Sequence, residues 1–102
     1  MEQKVSQELW SLGITSRIKG DRYIKEAILL CIETENYNPI LQLEIYPVIA
    51  EKNNTTIASV ERLIRYAIAK SDRKINNRDF ICEMVEKIVR IDLGSAVLTM
   101  KL

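Results

Sequence analysis

The chain has 102 residues, 47% of them hydrophobic, with two cysteines, no histidine and a formal net charge of +1. One ordinary core fits that length, whereas two thiols without histidine make neither a disulfide framework nor a zinc site. Without histidine, a phosphate loop or a GxSxG turn, an enzyme is not expected and no cofactor or metal is implied. The start MEQKVSQELW lacks the apolar stretch of a signal peptide and no apolar run reaches membrane-spanning length. The expectation is a cytoplasmic, all-α protein without membrane contact, its cysteines reduced.

The elements follow in chain order as about six helices in a single domain. Residues 2 to 12 put Val5, Leu9 and Leu12 on one side, with Gly13 as the C-terminal stop. Residues 21 to 34 repeat the pattern through Ile24, Ala27, Ile28, Cys31 and Ile32. Asn38-Pro39 reads as a cap followed by proline at the first helical position, opening a short helix through Tyr46. Pro47 then ends that helix and begins the next, to about Lys52. A helix over 57 to 70 follows. Asn77 is expected to cap the last helix, with Ile81, Met84, Val85, Ile88 and Leu93 inward and Gly94 ending it. Residues 1–94 are thus expected to form the domain, with 95–102 (SAVLTMKL) an apolar tail. Such a tail either packs back on Trp10 or the last helix, or forms a contact between two copies. Trp10, Tyr23, Tyr37 and Tyr46 are spread over different elements and make no stacking platform for single strands.

The stretch Tyr46 to Lys70, YPVIAEKNNTTIASVERLIRYAIAK, carries the functional signal. Ala50 stands where the first of two crossing helices must let the second come close. Four residues on, Asn54 occupies the turn position that needs φ > 0, which asparagine tolerates best after glycine. Val60 and Leu63 then supply the apolar anchors of the second helix. This spacing is that of a helix-turn-helix, whose second helix enters the major groove of DNA.

At about 100° per residue, Ile57, Val60, Leu63, Ile64, Ala67 and Ile68 form the buried stripe of that second helix. Ala58, Arg62, Arg65, Tyr66 and Ala69 face outward, flanked by Ser59 and Glu61. Small residues let the backbone approach the groove. Arg62 and Arg65 can fork onto guanine, and Glu61 can accept from the cytosine amino group. Thr56 is the expected N-cap, and either Thr55 or Thr56 can alternatively hold a phosphate. With these, Lys19, Arg22, Ser59, Tyr66 and Lys70 make up the DNA-backbone set. The plainer alternative leaves Glu61 and Arg65 as a surface i,i+4 pair and Arg62 merely solvated.

Charge is asymmetric rather than large. Arg17, Lys19, Arg22 and Lys25 lie close together with only Asp21 between them, and Arg62, Arg65, Lys70, Arg73 and Lys74 follow the turn. Acid gathers elsewhere, at Glu33, Glu35 and Glu44. Such a field directs one face toward phosphates; ordinary solvated helices are the competing reading.

With these residues in hand, the chain resembles the C-terminal DNA-binding effector domain of the stage-zero master regulator of sporulation, a response-regulator family. Three blocks carry the resemblance: LGITSRIKGDRYIKEA from Leu12 to Ala27, the segment Tyr46 to Ile68, and Asn77 to Lys87 with Phe80-Ile81 and Met84-Val85. In the central block Tyr46-Pro47, Ile49-Ala50, Asn54-Thr55-Thr56, Val60-Glu61-Arg62 and Ile64-Arg65 match. The resemblance implies sequence-specific binding of a short DNA box, with Glu61, Arg62 and Arg65 at the recognition-helix positions.

Three departures bear on what carries over. Ser59 stands where the family places an arginine. The connection Ser71 to Asn76 is much shorter than the family's, where that region helps neighbouring domains meet on DNA. No receiver domain fits within these 102 residues, so the resemblance carries no phosphorylation control to them. The partners expected are duplex DNA, with a second copy of the chain and the transcription machinery as further candidates. The alternative in a different class is a protein-interaction module of this fold that pairs with a full-length regulator and no longer reads DNA.

Overall fold

In the computed structural model, residues 1–101 are described, with side chains described for residues 1–94. Five α-helices occur in order: α1 (Glu2–Ser11), α2 (Lys19–Glu33), α3 (Tyr46–Lys52), α4 (Ile57–Lys70) and α5 (Asn77–Lys101), with one π-helical turn over Leu41–Ile45 running directly into α3. No strand occurs among the described residues. Helix α2 is the central element and packs against each of the other four. The core it organises includes Val5, Leu9, Ile24, Ile28, Cys31, Ile49, Val60, Ile64, Ile68, Phe80, Ile81 and Ile88, all essentially inaccessible to water.

Four helices end in the same way. Each C-cap is followed by a residue in the left-handed region: Gly13 (φ 82°) after α1, Glu35 (53°) after α2, Asn54 (52°) after α3 and Asp72 (66°) after α4. After α3 the Asn54 N–H donates to the Glu51 carbonyl at 3.3 Å and the Thr55 N–H to the Ala50 carbonyl at 2.9 Å. This is a Schellman pair, which satisfies two of the carbonyls a helix end leaves open. Gly13 stops α1 as its place in the sequence suggests.

Several boundaries depart from the sequence-based expectation. Helix α2 begins at Lys19, two residues earlier than expected, which draws Lys19 and Gly20 into its first turn. No helix starts at Asn38-Pro39. Ile40 is extended, and the wide turn begins at Leu41, where the Glu44 carboxylate accepts the Ile40 N–H at 2.7 Å. Pro47 has no N–H to give, and its ring collides with a carbonyl four residues back in an α-turn. Widening the preceding turn to π geometry, with the Tyr46 N–H reaching the Leu41 carbonyl, relieves that collision. Helix α5 does not stop at Gly94 but runs to Lys101, since glycine in a helix costs only about 1 kcal/mol and does not by itself end one. Leu93, expected inward, is 60% exposed. The proposed packing or pairing of the tail 95–102 lies outside the residues whose side chains are described.

Of the four dispersed aromatic residues, Tyr23 and Tyr46 are buried whereas Trp10 and Tyr37 are exposed. Cys31 and Cys82 are free thiols. Burial pushes the Cys31 thiol up to about 11, with Cys82 and Glu44 adding to the effect. Asp21 is fully buried and neither carboxylate oxygen has a hydrogen-bond partner among the described residues. Its place in the first turn of α2 lets the helix dipole offset part of that desolvation.

Candidate nucleic-acid interface

Helices α3 and α4, joined by the Asn53–Thr56 turn, form the helix-turn-helix. Ala50 is buried where α3 meets α4, and the turn depends on Asn54 holding φ 52°. Thr56 is the N-cap of α4: its backbone is extended and its hydroxyl oxygen accepts the Ser59 N–H at 3.1 Å. That hydroxyl is therefore engaged in the free chain. The two asparagines of the turn divide the work, since the Asn53 amide donates to the Ile49 carbonyl at 2.8 Å and to Glu26 at 3.0 Å. With Lys52 also 3.2 Å from Glu26, the end of α3 is tied down on α2.

The expected buried stripe of α4 is realised. Val60, Ile64, Ala67 and Ile68 are buried, and Ile57 and Leu63 are partly buried against them. Ala58, Arg62, Arg65, Tyr66 and Ala69 are exposed, Tyr66 to 61%. Arg62 takes part in no ion pair among the described residues and stands at the middle of the outer face. Arg65 does have a partner: its guanidinium lies 2.6 Å from the Glu61 carboxylate. The i,i+4 pair expected as the plainer alternative thus exists in the free chain. Exposed pairs of this kind contribute under about 1 kcal/mol, so a guanine edge can displace the carboxylate.

The backbone set gathers on one flank of α4 and in the turn before it. On one side stand Ser59, half-buried, and Lys70 in the last turn. The first turn of α2 packs on α4 along this side, at Leu63 and Ala67. Lys19 and Arg22, both exposed, flank Gly20 in that turn, about forty residues from α4 in sequence. Arg22 donates to the Ser16 carbonyl at 3.2 Å. Lys19 makes no ion pair among the described residues, whereas Lys25, the last member of the basic cluster, is 2.9 Å from Glu2. Thr55 is half-buried in the turn itself.

On the other flank, Glu61 and Arg65 line a groove of about 540 Å³ closed by residues 38–42 and 75–78. Here the sequence reading missed a connection. Asn77 does not cap α5. The Asn76 side chain does so, its oxygen accepting the Asp79 N–H at 2.8 Å. Asn77 is instead buried and donates to the Tyr46 hydroxyl and to the Glu61 carbonyl, both at 3.0 Å. One side chain so joins α3, α4 and α5. Burial pushes the Tyr46 phenol above its ordinary value, and the Asn77 contact opposes that shift. An NN pair ahead of a helix was the only sequence signal, and it does not reveal which asparagine turns inward.

No helix among the described residues is long and apolar enough to cross a membrane. An exposed arginine-bearing second helix, set at a tight turn on a helical core, defines a helix-turn-helix domain of the DNA-binding class. The family model described as "Sporulation initiation factor Spo0A C terminal" matches residues 5–94. The chain belongs to that family. It is a family of DNA-binding effector domains of sporulation regulation rather than of enzymes, and the resemblance read from the three sequence blocks agrees with it.

Proposed function

We propose that this chain binds duplex DNA sequence-specifically through α4 in the major groove and acts as a transcription regulator. The observation that carries the reading is the outer face of α4, where Arg62 stands unpaired among the described residues between Ala58 and Ala69. In this reading Glu61, Arg62 and Arg65 read base edges. Lys19, Arg22, Thr55, Thr56, Ser59, Tyr66 and Lys70 meet the sugar-phosphate backbone. Residues 1–94 make up the DNA-binding unit and 95–102 an apolar tail. Reading of chromosomal DNA places the chain in the cytoplasm, with the transcription machinery as the downstream partner and a second copy of the chain as a neighbour on DNA.

The second reading, a protein-interaction module that pairs with a full-length regulator, draws on the Glu61–Arg65 pair and on Ser59 at an arginine position. Selecting bound duplexes from a random pool, then titrating the chain against the winner and a scrambled copy, decides between them. The DNA-reading domain prefers the selected duplex. An interaction module binds both alike or neither.

A further inference from the structure

We infer that the groove between α4 and residues 75–78 seats the backbone of one DNA strand, with Arg78 as a phosphate contact. The inference rests on α4 entering the major groove as proposed above. On a helical wheel of about 100° per residue, Arg65 and Glu61 lie roughly 60° and 100° to one side of Arg62, with Ser59 and Lys70 on the other. A helix lodged in a major groove about 12 Å wide has a phosphate wall on each side. Lys19, Arg22 and Lys70 supply cations for one wall. The groove flank needs its own.

Arg65 and Arg78 both line that flank, together with the amides of Asn38 and Gln42. Arg78 is half-exposed, donates to the Asn38 side-chain oxygen and stands 4.0 Å from Asp79. A guanidinium has five N–H donors, so these contacts leave others for a phosphate. The two carboxylates nearby are already answered, Glu61 by Arg65 and Asp79 by the Asn76 amide at 3.0 Å. Ile40, Leu41 and Ile75 give the groove an apolar wall against which deoxyribose fits. The contact does not draw on the end of α5, where Asn76 already accepts the Asp79 N–H. The free donors of Arg78 and the continuity of the groove with the outer face of α4 make a DNA strand the occupant, rather than a peptide.

The test uses the full chain, a duplex selected from a random pool and its scrambled copy, titrated between about 50 and 200 mM salt. Arg78→Gln is expected to weaken binding several-fold on both duplexes and to lower the log–log salt slope by about one unit. Arg78→Lys is expected to keep the slope, because the charge stays. Arg62→Ala and Arg65→Ala run alongside and are expected to reduce discrimination. If Arg62→Ala reduces discrimination while Arg78→Gln keeps the parental affinity and slope, the groove contact falls alone and the groove is left to a protein partner. If Arg62→Ala and Arg65→Ala both keep full discrimination, the base reading falls. A parent chain that binds neither duplex overturns both. Unchanged melting of Arg78→Gln separates a lost contact from a lost fold.

Discussion

Gly20, in the first turn of α2, lies so close to α4 that a Cβ on it would stand 2.2 Å from the Leu63 carbonyl oxygen and 3.0 Å from the Ala67 Cβ. The atom it would meet first is backbone in the middle of α4, which cannot swing aside as a side chain can. The close approach sets where Lys19 and Arg22 stand relative to α4. Gly20→Ala is therefore expected to push the two helices apart and to destabilise the chain by about 1–3 kcal/mol or more. Thermal unfolding checks this, since each kcal/mol shifts the midpoint by roughly 4–8 °C in a domain of this size. A variant melting within about a degree of the parent would remove the contact from the account.

The two outward arginines are expected to differ in how their loss is felt. Arg62→Ala should cost about 1–3 kcal/mol at a selected duplex and relax preference at one base pair. Arg65→Ala should do the same at a neighbouring pair, less the small contribution of its existing bond to Glu61. Competition binding with single-base variants of the duplex measures both. Parental discrimination in both mutants would sink their assignment as base readers.

Lys19 and Arg22 are expected to act without regard to sequence. Replacing either with alanine should weaken every duplex similarly and lower the salt slope by about one unit for each phosphate contact removed. Parental slopes would return the pair to the solvated surface. Lys25, held by Glu2, serves as the internal control and is expected to change little.

Asn77 holds three helices through two donated hydrogen bonds. Asn77→Ala leaves the Glu61 carbonyl and the Tyr46 hydroxyl without that donor, at about 1–3 kcal/mol for an unsatisfied buried group. Denaturant unfolding should show a lower midpoint with little change in slope. An unchanged midpoint would mean that solvent in the adjoining groove replaces the amide fully.

Cys31 gives the pH dependence a definite sign. Its thiol is raised by burial from 9.0 to about 11, so the neutral form is favoured in the folded chain. The stability this contributes is fully present below the unfolded value and is lost as pH rises through the folded one, between 9.0 and about 11. Cys31→Ala should flatten that part of the alkaline unfolding curve. The Tyr46 phenol, also raised by burial, keeps a slope at higher pH. In the native parent chain, alkylation followed by mass spectrometry should label Cys82, only partly covered, well before Cys31.

The helix-turn-helix was legible because its chemistry is local. Ala50, Asn54 and Thr56 act through contacts only a few residues away: a close approach, a left-handed φ and an N-cap. The buried stripe of α4 follows from period alone, and so does its outward face with Arg62. Boundaries were less legible where competing local signals had to be weighed. Pro39 suits a helix start but lies before the turn, and Gly94 sits within α5, whereas Pro47 stands in the first turn of α3 as its place in the sequence suggests. Long-range packing decided the rest. It alone brings the first turn of α2, which carries Lys19 and Arg22, against α4 through the Gly20–Leu63 approach. It turns Asn77 inward and leaves Asn76 as the cap, and it closes the groove between Arg65 and Arg78. These depend on which helix faces meet in space, and helical periodicity says which face is apolar but not which neighbour covers it.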